Sequence, residues 1–328
     1  MGVWKRVRNI KRYYVDSAWQ TILPQYEDET DIKTMIEFDN KLYVGTNPNG
    51  KLLEFDGSAT WQLKADTYSS QQTVRIAEFN SKIYGGTYPD GLLLEWNSTG
   101  ENWDLVCEQL SSQYVKGITA GSTALYASTY PDGMLFKYDI GSTEWVMVAD
   151  KYTTLSVPVF IDNIKEFNSK IYGCSYLWVG GKGANTSILE YNSTGGKWDV
   201  VGETGVDGDR GLSLGVYDSN LYLGTLTEGR LYLWDGSTGL TQKAGPLVEG
   251  FHGIVSLVEF DSKLYGGTGY NDIHGGKLFK WNNVDTWAQA ADQVNGNDNN
   301  YIYGLAELNG VLYGATSDKG QLLKFVDR

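Results

Sequence analysis

The 328-residue chain carries 40 glycines, 6 prolines, 23 tyrosines and 11 tryptophans, a composition suited to many short strands joined by tight turns rather than to helices. Its 40 acids against 27 Lys and Arg leave a formal charge of −13, a field that repels phosphate backbones and argues against a nucleic-acid partner for the body of the protein. No apolar run reaches the length of a signal-peptide core or a membrane span, so there is no transmembrane segment, and the expectation is a cytoplasmic protein or part of a virus particle.

The first 17 residues stand apart as an arm. Residues 1–15 hold Lys5, Arg6, Arg8, Lys11 and Arg12 and no acid, which leaves 22 cations against 40 acids beyond them. Trp4, Val7, Ile10 and Tyr14 fall close to helical spacing with the cations between them, so the arm reads as a basic amphipathic segment. It suits docking on an acidic partner, a membrane surface or a larger assembly.

From residue 18 to the end the chain repeats itself. An anchor tyrosine recurs as Tyr43, Tyr84, Tyr126, Tyr172, Tyr222, Tyr265 and Tyr313, at intervals of 41 to 50 residues. Seven such units predict an all-β, seven-bladed propeller over 18–328, each blade four antiparallel strands, A to D. In the second unit strand A covers about 74–79, strand B 82–87 and strand C 92–96, and strand D opens at Trp103. The A–B connections Asp39-Asn40, Asn80-Ser81, Asn168-Ser169, Asp218-Ser219, Asp261-Ser262 and Asn309-Gly310 use residues that tolerate positive φ in hairpins. The Pro-Asp-Gly and Pro-Asn-Gly segments read as B–C turns.

The two ends explain each other. The seventh unit stops at Arg328 with no D strand, while Trp19-Gln20-Thr21-Ile22-Leu23 is an orphan D strand resembling Trp61-Gln62-Leu63. Pairing them closes the ring and removes an exposed sheet edge.

Gly85-Gly86 with Trp96 and Trp103, and Gly266-Gly267 with Trp281 and Trp287, give the pattern of double Gly after strand B, aromatic on strand C and Trp opening strand D. This resembles the kelch-type propeller, although blades one, three, five and seven lack the double Gly and blade four has Gly173-Cys174. The resemblance implies an interaction platform, with a few enzymes among such folds.

Candidate functional residues gather on the face of the B–C and D–A loops, because the A–B turns opposite are short and uniform. Aromatics crowd it: Tyr88 and Tyr130 at strand ends, Tyr176 and Trp178 in the enlarged B–C loop of blade four, and Tyr270 in that of blade six. Flat rings among Asn, Asp and Gln suit either a sugar or a protein hot spot, and packing over the next blade is the structural alternative for Tyr88 and Tyr130. His252 and His274 fall on the same face, without a Cys or carboxylate at ligand spacing. Asp207-Gly208-Asp209-Arg210 offers Asp209 and Arg210 as ligand-binding residues, but neither it nor residues 27–31 has the alternating oxygens of a calcium loop. The recurring Asp90, Asp132 and Asp318 read as turn residues. No metal ligands, catalytic group or cofactor are assigned.

Two further expectations concern the interior. Cys107 and Cys174 lie in different blades and are expected as free, buried thiols. Strand A ends in Glu37, Glu78, Glu166 and Glu259, each followed four residues later by a Lys, which predicts a Glu–Lys contact across the A–B hairpin, with a channel ring of Glu as the alternative. The functional reading is a non-enzymatic binding or structural module for a glycan or protein partner, suited to a larger assembly such as a phage particle. The alternative is a carbohydrate-active lyase or glycosidase at the channel mouth.

Overall fold

The structure, a computed structural model, describes residues 18–327 apart from 111–112, 155–156, 177, 180–181, 184–185, 207, 238, 248–252, 270–274 and 293–300; at 153–154, 157–158, 176, 178–179 and 182–183 only the backbone is described. The two-residue A–B turns do what their chemistry demands. Asp39, Asn40, Asn80, Ser81, Asn168, Ser169, Asp218, Ser219, Asp261 and Ser262 all have φ between 46° and 61°, the twist that lets a tight hairpin follow the strands on either side. Blade three differs, turning through Gly121–Ala124 with the Gly121 N–H donating to the Ala124 carbonyl at 2.8 Å.

Seven four-stranded antiparallel sheets result. In six of them the strands follow chain order. The seventh is ordered Ala18–Leu23, Leu322–Val326, Val311–Thr316, Ile302–Leu308, so the first strand of the described chain completes the last blade. Ala18 pairs with Val326 and Thr21 with Leu323. Strand A of each blade packs on strand A of the next, and Asp31–Phe38 packs on Ile302–Leu308, which closes the ring around a central channel.

The core lies between blades. Among the described residues, seven of eight apolar clusters draw residues from two neighbours, for example Leu52 and Ala65 of blade one with Val74, Ile83 and Trp103 of blade two. The glycine positions follow from this packing. A Cβ at Gly85 would sit 3.1 Å from the Trp103 ring of its own blade, and one at Gly86 would sit 2.4 Å from Val115 of the next. Gly86 corresponds to Gly45, Ser128, Cys174, Gly224, Gly267 and Ala315, all small, so the missing double glycines keep the same steric rule. After each of these comes a second constraint in six blades. Buried Thr46, Thr87, Thr129, Thr225, Thr268 and Thr316 each accept, through Oγ1, the backbone N–H that ends the B–C turn, as Leu92 donates to Thr87 at 2.9 Å.

The predicted Glu–Lys hairpin contact is not made, and the reason is register. Glu37 lies opposite Leu42, and it accepts the Asn40 N–H at 2.8 Å; Glu166 accepts the Ser169 N–H at 2.6 Å. The lysines reach strand C instead. Lys41 pairs with Glu54 at 3.1 Å, Lys82 with Glu95 at 2.5 Å and Lys170 with Glu190 at 2.6 Å. Those carboxylates stand opposite the anchor tyrosines and accept their hydroxyls, Tyr43 on Glu54 at 2.5 Å and Tyr172 on Glu190 at 2.8 Å. Glu37 and Glu166 are thus held by their own turns, and Glu78 and Glu166 line a second cavity of about 320 Å³ together with Lys165. Cys107 and Cys174 are free and buried, and burial first, then the charge of Glu144, pushes the Cys107 thiol up to about 12.

Candidate functional site at the channel mouth

Six of the seven inner strands carry one extra residue at the same place. The A–B register shifts between Ile32 and Thr34, Val115 and Gly117, Ile161 and Asn163, Gly211 and Ser213, Ile254 and Ser256, and Ile302 and Gly304. A bulge leaves its extra residue outside the ladder and re-aims its side chain. The extra residues are Lys33, Lys116, Asp162, Leu212, Val255 and Tyr303, and all six line one cavity of about 410 Å³ in the channel. Blade two has an unbroken register, and Arg75 stands at the corresponding level and lines the same cavity. The ring sits near the start of each inner strand, in the half of the channel nearer the B–C and D–A loops.

The residues after the bulges hold the ring in place. Thr34 Oγ1 accepts the Ile76 N–H at 2.9 Å, and Ser213 and Ser256 donate to the carbonyls of Ile254 at 2.8 Å and Ile302 at 2.6 Å. Each bond reaches the inner strand of the next blade, so small polar residues here tie the blades together beneath the ring.

The ring is electrically lopsided. Blades one to four contribute Lys33, Arg75, Lys116 and Asp162, while blades five and six contribute Leu212 and Val255. Lys116 is ion-paired with Asp162 at 2.9 Å, and Lys33 with Asp31 at 3.1 Å. Lys33 also lies over the Tyr303 ring, 4.8 Å from its centroid, and Tyr303 stacks in parallel on Tyr301 at 4.8 Å. Arg75 makes no hydrogen bond or ion pair with any described residue. Burial pulls its guanidinium below its ordinary value, while Tyr303, Asp162 and Tyr114 act in the opposite sense. Burial likewise lowers Lys33, against the attraction of Asp31. After the two internal pairs, Arg75 is the one ring cation left uncompensated, and Lys165 lines the same cavity while sharing an adjoining one with Glu78 and Glu166.

The aromatic rim of blades two to four forms a continuous row. Tyr88 meets Tyr114 edge-on at 4.7 Å, Tyr114 meets Tyr130 at 5.0 Å, and Tyr130 stacks on Phe160 at 4.8 Å. Tyr88 and Tyr130 thus pack on the inner strand of the following blade, and Tyr88 still keeps 36% of its surface exposed. Tyr176 ends its strand opposite Phe160, and Trp178 begins a two-residue ribbon strand, Trp178–Val179, paired with Lys182–Gly183. His252, Tyr270 and His274 lie outside the described residues.

Asp209 and Arg210 take a different place from the exposed loop expected of them. Asp209 is buried, accepts the Arg210 N–H at 3.0 Å and pairs with Arg230 at 3.4 Å, while the Thr186 hydroxyl donates to its carbonyl at 2.8 Å. Its carboxylate thereby fastens the D–A loop to blade five. Arg210 is half-buried and accepts the Leu226 N–H through its carbonyl. The acids of residues 27–31 are also divided: Glu27 pairs with Lys51, Glu29 is buried and accepts the Asn49 N–H, and Asp31 pairs with Lys33. Asp90 and Asp132 accept from buried Gln71 at 2.7 Å and Gln113 at 3.1 Å, in keeping with turn chemistry. Among the described residues no three His, Cys, Asp or Glu side chains converge as a metal site requires.

Sequence reasoning missed the ring, although a signal was present. Lys33, Lys116, Asp162, Leu212, Val255 and Tyr303 each stand ten residues before an anchor tyrosine, and Arg75 stands nine before its own.

No family model and no curated protein matches the chain. Solved structures match its fold. The extracellular domain of the hybrid two-component system BT4673 from B. thetaiotaomicron is similar at a TM-score of 0.70 and 18% identity over 95% of this chain, which spans only 40% of that one. YCF48 from Cyanidioschyzon merolae is similar at a TM-score of 0.63 and 14% identity, over 94% of this chain and 98% of that one. A catalytically inactive virginiamycin B lyase from Staphylococcus aureus, solved with quinupristin, is similar at a TM-score of 0.74 and 8% identity, over 95% of this chain and the whole of that one. These likenesses establish the propeller and leave its ligand open.

Proposed function

We propose that this propeller is a binding module that takes a protein or peptide partner at the channel mouth, on the B–C and D–A face. One observation carries the reading. The seven repeats keep a small residue where Gly86 and its equivalents pack, and disagree at the ring, where Lys33, Arg75 and Lys116 face Leu212 and Val255. A residue that packs on the next blade is constrained by that blade, whereas a ring residue meets the channel and is free to differ. Variation confined to the channel is how a repeat scaffold acquires a preference for one ligand. YCF48, a propeller of similar fold, has been solved bound to a D1 peptide, which supports a peptide partner at the level of fold alone. In this reading the row from Tyr88 to Phe160 flanks the bound segment, and Tyr176, Trp178, His252, Tyr270 and His274 stay ligand-binding candidates on the strength of the sequence. Residues 1–17 serve as a basic tether to an acidic partner or a larger assembly. The contacts of Trp19, Trp103, Trp198 and Trp287 with the strand-B glycines Gly314, Gly85, Gly173 and Gly266 support a kelch-like kinship as part of the same proposal.

The test is an array of random dodecapeptides probed with the labelled chain and with a variant carrying Lys33→Glu, Arg75→Glu and Lys116→Glu. Peptides bound by the wild type and lost in a folded triple variant support the reading. Binding that survives the triple variant moves the site away from the channel, and binding to a glycan array alone replaces the peptide with a sugar. Co-purification with and without residues 1–17 tests the tether, which fails if the same proteins are retained.

A further inference from the structure

The ring does more than mark a binding face; its chemistry selects a ligand class. We infer that the cavity holds a single carboxylate borne on an apolar residue, the carboxylate against Arg75 and the apolar group against Leu212 and Val255. This rests on the channel-mouth reading and names what enters.

Three observations lead there. The first is charge balance. Lys116 is matched by Asp162 at 2.9 Å and Lys33 by Asp31 at 3.1 Å, which leaves Arg75 without a partner among the described residues. One monovalent anion neutralises one guanidinium. Lys165 also lines the cavity, but it shares the adjoining one with Glu78 and Glu166, so at the level of the ring Arg75 alone is unmatched. The second is shape. A guanidinium offers a planar fork that fits the two oxygens of a carboxylate. The third is the wall opposite. Leu212, Val255 and Leu257 line the same cavity as Arg75, and an inorganic ion would leave that apolar surface wet. A volume of about 410 Å³ accommodates one or two residues and not a folded domain.

The chemistry has two sources, the carboxy-terminus of a polypeptide and a free small acid. The geometry favours the chain end, because Tyr88, Tyr114 and Tyr130 form an unbroken aromatic row at the rim, next to the cavity, where the residues preceding a chain terminus would lie.

The experiment is calorimetric titration of the full chain with N-acetyl-leucine, N-acetyl-leucinamide, the peptide acetyl-Gly-Ser-Ala-Leu as free acid, and sodium phosphate. The expected result is that N-acetyl-leucine binds at least tenfold more tightly than its amide, and that the peptide binds more tightly still. Arg75→Gln removes the preference for acid over amide, and Leu212→Asp weakens the acid at least tenfold. Phosphate competes poorly. Equal affinity for acid and amide, or no binding of either, overturns the inference. A peptide weaker than N-acetyl-leucine assigns the site to a small acid and overturns the chain-end source. If phosphate binds tightly and N-acetyl-leucine does not, this inference falls while the channel remains a ligand site; if peptides selected on the array bind the triple variant unchanged, the channel-mouth reading itself falls. Arg75→Lys, which keeps the charge and loses the fork, serves as a second variant should Arg75→Gln fold poorly; it is expected to bind the acid several-fold more weakly.

Discussion

The surfaces between blades and the ring in the channel are built from adjacent strands of each blade, yet they obey opposite rules. Between blades, Gly45, Gly86, Ser128, Cys174, Gly224, Gly267 and Ala315 vary only among small residues, because a neighbouring strand lies against each. In the ring, Lys33, Arg75, Lys116, Asp162, Leu212, Val255 and Tyr303 span cation, anion, aliphatic and phenol. Neighbouring strands A and B of one blade thus answer to different constraints, the channel at one and packing on the next blade at the other. Stability belongs to the first set and the proposed selectivity to the second.

That division is open to direct attack, and the largest effect is expected between blades. Trp103 is buried against Gly85 and Val74, so Trp103→Ala should cost ~3–5 kcal/mol in denaturant-induced unfolding, the usual range for removing a buried large aromatic. Next comes the turn cap. Thr87→Val keeps the shape and strips the acceptor from the Leu92 N–H, a buried group, for an expected loss of ~1–3 kcal/mol by the same measurement. In the ring, Arg75→Gln breaks no bond to a described residue, so stability should move by less than ~1 kcal/mol in either direction. If Arg75→Gln costs as much as Trp103→Ala, the ring carries the fold and the division collapses.

The smallest effect sharpens the boundary at the D–A loop of blade five. Burial raises the Asp209 carboxyl above the ordinary carboxylate value, against bonds from Thr225, the Arg210 N–H and Arg230 that pull it down. A raised value means that the folded state holds its proton more tightly than the unfolded chain does. The contribution is present below the unfolded value of 3.8 and is lost as pH rises through the folded one. Wild type should therefore lose stability relative to Asp209→Asn over that interval, by melting temperature against pH. A difference that grows in the other direction would mean that the pair with Arg230 outweighs burial.

Much of the fold was legible because repeats amplify local rules. The positive-φ pairs at Asp39-Asn40 and Asn80-Ser81 had to be tight turns, and an orphan strand at 19–23 had to meet a blade lacking its fourth strand. Less of the site was legible. Tyr88 and Tyr130 were recognisable as rim residues, but their neighbours Tyr114 and Phe160 come from other strands, and no local pattern brings the four together. Asp209 looked like a loop acid because burial cannot be read from polarity. The Glu–Lys spacing misled for the same reason: the partner of Lys41 is Glu54, thirteen residues away, on a strand that approaches only after the sheet forms.

What the sequence determined alone is the repeat: seven anchors, their turns and the split blade that closes the ring. These depend on neighbours along the chain, or on the next copy of the same motif, so they recur and can be counted. The tertiary structure decided where the odd residues go. One extra residue in an inner strand is unremarkable in a string of letters, but in a closed ring six such residues converge with Arg75 on a single cavity. That convergence turns scattered lysines, an arginine and two aliphatics into one amphipathic cavity lining, because only closure brings residues 270 positions apart, Lys33 and Tyr303, to the same wall.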